Sequence, residues 1–143
     1  MSALLKTQPF PNLFLKRPDG TSLELVDLRK KQHALLLFLS RNDSDAMAFV
    51  SHFQDQARLF EWLNTRLLVV FRNPKDIATP WPAPGHPPCL IPDMPLPAGV
   101  EWDKAYVVSK NGTLLEIYEE PALVSVAKVE RDFLYWEAGH CLP

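Results

Sequence analysis

Two rhythms of apolar residues divide the first half of this chain. Leu35-Leu36-Leu37-Phe38-Leu39 and Arg66-Leu67-Leu68-Val69-Val70-Phe71 are almost unbroken apolar runs of strand length. Such runs predict central strands covered on both faces. Between them, from Ala46, the period becomes helical. Ala46, Phe49, Val50, Phe53, Ala57, Phe60 and Leu63 fall on one face, with Ser51, Gln54, Asp55, Arg58 and Glu61 opposite. Asp43, Ser44 or Asp45 supplies an oxygen for the orphan N–H groups at the start of this helix, and their acidity suits its dipole. Strand, helix and buried strand predict a right-handed crossover between parallel strands.

The flanks alternate differently. Asn12–Leu15 and Ser22–Val26 bracket Pro18-Asp19-Gly20, a hairpin signal in which Gly20 takes a positive φ. Asp27-Leu28-Arg29-Lys30 reads as a short turn leading to the Leu35 strand. Ala105–Ser109 and Thr113–Tyr118 enclose Lys110-Asn111-Gly112, a second hairpin signal. Pro121 suits the first turn of a last helix with Leu123, Val126, Ala127, Val129, Phe133, Leu134 and Trp136 on its apolar side, and Gly139 ends it. Nine of the 14 prolines lie between Pro74 and Pro97, so residues 73–104 are expected to form an extended, loop-rich excursion. The expected fold is a single α/β domain over residues 1–143. It has a central mixed sheet, an N-terminal β-hairpin, flanking helices and this excursion.

Composition narrows the function classes. A formal net charge of −2 gives no bulk reason for a nucleic-acid or anionic-membrane partner. The longest apolar run, Ala34 to Leu39, is too short to cross a bilayer. Met1 to Lys6 followed by Pro9 and Pro11 lacks an export pattern, and only two cysteines occur, Cys89 and Cys141. Cytoplasm is the expected compartment.

With the elements placed, the chain resembles the thioredoxin-fold redoxins, and most closely their peroxiredoxin-like (alkyl hydroperoxide reductase/thiol-specific antioxidant) group. The resemblance rests on Pro11-Asn12-Leu13, on Asp19-Gly20 with Leu25 and Leu28, and on the Leu36–Phe38 strand. It continues through the Phe49–Phe53 helix face and Tyr106-Val107-Val108-Ser109-Lys110-Asn111-Gly112. It implies a thioredoxin-like fold over most of the chain outside 73–104. It also implies a reactive site at Ser40–Met47, where such folds place a Pro-x-x-x-Thr-x-x-Cys segment. Aligned on Phe38, this chain has Ser40 for the proline, Ser44 for the threonine and Met47 for the cysteine. The family's arginine falls at Asp103, and its cis-proline is missing near Lys104. A thioether forms neither thiolate nor disulfide, and Asp43 and Asp45 oppose a thiolate at that place. Ser40, Asp43, Ser44 and Met47 therefore read as a vestigial active-site segment.

Other candidate chemistry is sparse. Cys89 and Cys141 are the candidate redox thiols, as a displaced pair or with Cys141 as a sensor in the tail. His86, Cys89, His140 and Cys141 have metal-ligating chemistry, but adjacent His and Cys rarely reach one tetrahedral ion, so no metal is expected. Ser40 and Ser44 lack a histidine at a nucleophile-activating spacing, and the five glycines stand singly, so no phosphate cradle and no cofactor are expected. Trp81, His86 and Trp102 mark a candidate binding loop for a protein or peptide. A homodimer through an edge strand or the N-terminal hairpin is compatible with the fold. Two readings stay open: a non-catalytic binding or interaction module, and a thiol oxidoreductase or antioxidant protein using Cys89, Cys141 or both.

Overall fold

A computed structural model describes residues 4, 6–17, 20–29, 32–40, 64–73, 89–119, 128 and 131–132. Its centre is β3 (His33–Leu39), buried at every position. β4 (Thr65–Phe71) lies parallel to it, in register from His33 opposite Thr65 to Leu39 opposite Phe71. The two apolar runs thus become adjacent central strands, and their lack of alternation follows from burial on both faces. β5 (Cys89–Pro92) adds in parallel beyond β4, while β6 (Ala105–Val108) pairs antiparallel with the other side of β3. β1 (Phe14–Lys16), β2 (Ser22–Glu24) and β7 (Leu114–Tyr118) complete a seven-stranded mixed sheet of order β2-β1-β5-β4-β3-β6-β7.

Both hairpins form where their turn residues predict them. Gly20 and Gly112 have φ of 92° and 90°, and the Ser109 amide donates to Thr113 O at 2.8 Å. The second turn is fastened further by Ser109 Oγ, which accepts from the Asn111 and Thr113 amides. Buried His33, at the start of β3, accepts the Lys110 amide on Nδ1 at 3.0 Å.

Two expectations need correction. Within the 73–104 excursion, the chain forms β5, which fills the gap between β1 and β4. Leu90 and Ile91 are buried, and Pro92 ends the strand beyond Leu90, the last residue paired with β4. Of the stretch read as a turn at Asp27–Lys30, Asp27–Arg29 instead belong to a short helix, α1 (Leu25–Arg29), and Lys30 lies outside the described residues. Asn12 organises its start: Oδ1 accepts the Val26 amide at 3.2 Å, and Nδ2 donates to Glu24 Oε1 at 2.7 Å.

The pleat sorts the core into two layers. Ala34, Leu36, Phe38, Leu68, Val70, Leu90, Tyr106, Val108 and Leu114 face one side, joined by Phe10, Leu13, Leu15, Leu25 and Val100. Leu35, Leu37, Leu39, Val69, Phe71, Val107 and Tyr118 alternate with them and are also buried. Helical residues Lys128 and Asp132 meet the end of β7 on that second side. The Tyr118 hydroxyl donates to Asp132 Oδ2 at 2.6 Å, and Lys128 Nζ contacts the same oxygen at 3.0 Å. The stretches expected to form the Ala46–Leu63 helix and the remainder of the terminal helix, with Gly139, lie outside the described residues. Tyr118→Phe is expected to lower stability by about 1.5 kcal/mol, since it deletes a hydrogen bond to a charged group. Urea unfolding of the two proteins measures this, and an unchanged midpoint would rule the contact out as a stabilising one.

Candidate functional site

Because β3, β4 and β5 are parallel, their carboxyl ends open on one edge of the sheet. From β5 the chain crosses to β6, on the far side of β3, and in α/β sheets such a crossing creates the crevice where ligands bind. At this edge β3 runs out into Ser40, and the residues before β6 lie against it.

One carboxylate joins the two. The Ser40 amide donates to Asp103 Oδ1 at 3.0 Å, and Ser40 Oγ donates to Oδ2 at 2.7 Å. Both bonds are charge-assisted, which makes them stronger than their neutral equivalents. Asp103 occupies the left-handed region with φ 63°, a conformation aspartate tolerates better than most residues. Its own amide donates to Phe38 O at 2.7 Å, and the Phe38 amide donates to Lys104 O at 3.0 Å. Asp103 is thus held to β3 by its backbone and clasps the next turn of chain with its side chain.

The surrounding groups fix this loop. Lys104 Nζ lies 2.8 Å from Glu101 Oε1 and 2.6 Å from Glu119 Oε2, and these two hydrogen-bonded carboxylates raise its pKa well above that of ordinary lysine. Beneath, Phe38 meets Trp102 and Tyr106 edge-on, with ring centroids 6.0 and 5.5 Å away. The Tyr106 hydroxyl accepts the Glu101 amide at 2.9 Å and donates to Gly99 O at 3.3 Å. Burial raises the Tyr106 pKa.

The sequence-derived candidates separate accordingly. Ser40 stands at the edge, and Trp102 is half-buried against Phe38. Cys89 is the first residue of β5, beside Val69, which is itself beside Leu37. From strand spacing and rise, its backbone lies roughly 10 Å across and roughly 10 Å back from Ser40. Asp43, Ser44, Met47, Trp81, His86 and Cys141 lie outside the described residues. The residue that sequence reasoning undervalues is Asp103, which reads there only as a charge of the wrong sign. Its tolerance of positive φ, directly before a buried strand, is the available signal. Among the described residues no group of three or more His, Cys, Asp and Glu could hold a metal, and no helix is long and apolar enough to cross a membrane. The edge presents hydroxyl, carboxylate and backbone groups, a set suited to holding polar chain or ligand atoms by hydrogen bonds.

No protein-family model and no curated protein matches the chain. Among solved structures it is similar to a chain assigned as the thiol:disulfide interchange protein DsbE of Chlorobium tepidum, with TM-score 0.70 and 18% identity over 93% of this chain and 98% of that one. It is similar also to the mitochondrial 2-Cys peroxiredoxin of Plasmodium falciparum, with TM-score 0.68 and 15% identity over 94% and 97%. A yeast mitochondrial 1-Cys peroxiredoxin aligns with TM-score 0.65 and 13% identity over 90% and 74%. The agreement in backbone over nearly the whole length shows that this chain has a thioredoxin-like fold, of the kind found in redoxins and peroxiredoxins.

Proposed function

We propose that this chain is a redoxin-fold protein that has lost the peroxidatic cysteine and works, in the cytoplasm, as a non-catalytic module binding a protein or peptide. The candidate surface is the vestigial segment from Ser40 to Met47 together with the loop from Trp81 to Trp102. The observation that carries this reading is the Ser40–Asp103 clasp. At Ser40, which the resemblance aligns with the proline that opens the thiol segment, the chain ties the strand end to the Asp103 carboxylate through the Ser40 amide and hydroxyl. No cysteine occurs between residues 40 and 60. A thiolate nucleophile is what peroxide reduction requires, and a serine hydroxyl bonded to a carboxylate does not replace it.

The second reading is redox chemistry by Cys89 or Cys141, favoured by the thiol-based names of the similar structures. Intact-mass counting of free thiols after brief exposure of reduced protein to limiting peroxide separates the two. Two unchanged thiols are the expected result. Rapid loss of either, reversed by a reductant, would replace the binding reading with displaced thiol catalysis.

A further inference from the structure

Residues 6–10 run along the outer edge of β7 and the turn before it, and Leu4 lies against Gly99. The Thr7 amide donates to Leu114 O at 2.8 Å, the Leu114 amide donates to Gln8 O at 2.9 Å, and the Phe10 amide donates to Gly112 O at 2.8 Å. Lys6 Nζ reaches Glu116 Oε1 at 2.7 Å. Leu4 sits so close to Gly99 that a β-carbon there would lie 2.8 Å from Leu4 Cγ, and Gly99 has φ 90°. Ahead of the buried Phe10, this strap is tied down lightly. The Lys6 side chain is 56% exposed, so its ion pair is weak and screened by salt. Thr7 has φ 69°, a conformation that a β-branched residue strongly disfavours.

The other end of the strap's contacts is the candidate site. Phe10 packs on the Tyr106 ring with centroids 5.6 Å apart, and the opposite neighbour of that ring is Phe38, two residues before Ser40. The Tyr106 hydroxyl holds Gly99 and Glu101, the latter two residues before Asp103. Leu4 presses on that same loop at Gly99. Tyr106 therefore touches the strap, the strand that ends at Ser40 and the loop that carries Asp103.

We infer that the N-terminal strap controls the Ser40–Asp103 clasp: seated on β7 it holds the 99–104 loop down and the clasp closed, and its release opens both. Strap and clasp share one two-state element, so the coupling must act in both directions. The inference rests on the binding reading only for the use made of the opened site. Its test reads backbone amides, without ligand or thiol chemistry, so the two ideas fail separately.

Hydrogen exchange on the full-length chain supplies that test. The Leu114 amide reports the strap, the Ser40 amide reports the clasp, and the Leu36 amide in β3 reports global opening. The double variant Leu4→Ala/Lys6→Glu is expected to speed exchange at Leu114 and Ser40 by about fivefold or more, with Leu36 unchanged. Asp103→Gly, which suits the positive φ but removes the carboxylate, is expected to speed Leu114 as well as Ser40. Acceleration at Leu114 alone in the first protein, or at Ser40 alone in the second, would overturn the inference. If Leu36 accelerates equally in the double variant, the milder Lys6→Ala chain is measured against the same two criteria.

Discussion

Replacing Phe38 with alanine is expected to destabilise the protein by about 3–5 kcal/mol, the cost of a large buried ring together with the cavity it leaves. Phe38 is fully buried, with the edges of Trp102 and Tyr106 against it. The cavity would open directly beneath the 99–104 loop, so the loss should not stay in the core. Asp103 and Lys104 hydrogen-bond to the Phe38 backbone, and that backbone would remain while the ring supporting their loop is gone. Phe38→Leu keeps most of the volume and should cost less than about 1.5 kcal/mol. Urea unfolding of the three proteins gives both differences. An alanine variant within about 1 kcal/mol of the parent would mean that the layer collapses into the cavity, and the ring would then not be what supports the loop.

That the support of the site converges on one phenylalanine could not be read from the sequence, although the strand bearing it could. Leu35–Leu39 and Arg66–Phe71 are legible because burial on both faces erases alternation, and the sheet pairs these runs side by side. The hairpins are legible because Asp-Gly and Asn-Gly place glycine where positive φ is required. β5 is hidden by a different cause. Its strand character comes from pairing with β1 and β4, whereas the surrounding prolines give a strong local signal against regular structure. Only the tertiary gap between those strands selects Cys89–Pro92 as the piece that fills it. α1 is likewise short enough that its apolar start, Leu25 and Val26, continues the preceding strand pattern, and the cap that ends that strand comes from Asn12.

The sheet edge at Ser40 is legible in the sequence, and the contacts made there are not. A buried strand leading to Ser40 points to the edge where such sheets bind ligands, and the folded sheet has that edge. The clasp itself joins residues 63 apart, and no local rule of spacing connects them. Asp103 looks like a mismatch when set against the arginine of the resembling family. In the folded chain it is a hydrogen-bond acceptor whose backbone is held by Phe38. The same holds for Tyr106, which reads as one more β-prone residue of an apolar run until its hydroxyl is seen between Gly99 and Glu101.

Alkaline solution should expose the energetic weight of Tyr106 and Tyr118. Burial raises the pKa of both, and for Tyr118 the hydrogen bond to Asp132 raises it further. In the unfolded chain tyrosine loses its proton near pH 10. From there upward the unfolded state holds fewer protons than the folded one, so stability falls as pH rises. Below about pH 10 both states keep the phenolic protons, and the contribution is fully present. Each tyrosine contributes a slope of up to about 1.4 kcal/mol per pH unit, so the pair gives up to about 2.7. Lys104 has the same sign, but the solvent exposure of its partners Glu101 and Glu119 screens the pairs and leaves it a minor contributor. Urea midpoints at a series of pH values above about 9 measure the slope, and phenolate absorbance on the folded protein checks that ionisation is delayed. Tyr118→Phe should remove the larger part of the slope, because burial and the Asp132 hydrogen bond both raise the Tyr118 pKa, while the ring stays in place. A stability that stays level from about pH 10 to about pH 11.5 would mean that neither hydroxyl is held as the fold places it, and the Tyr106 link between strap and clasp would fall with it.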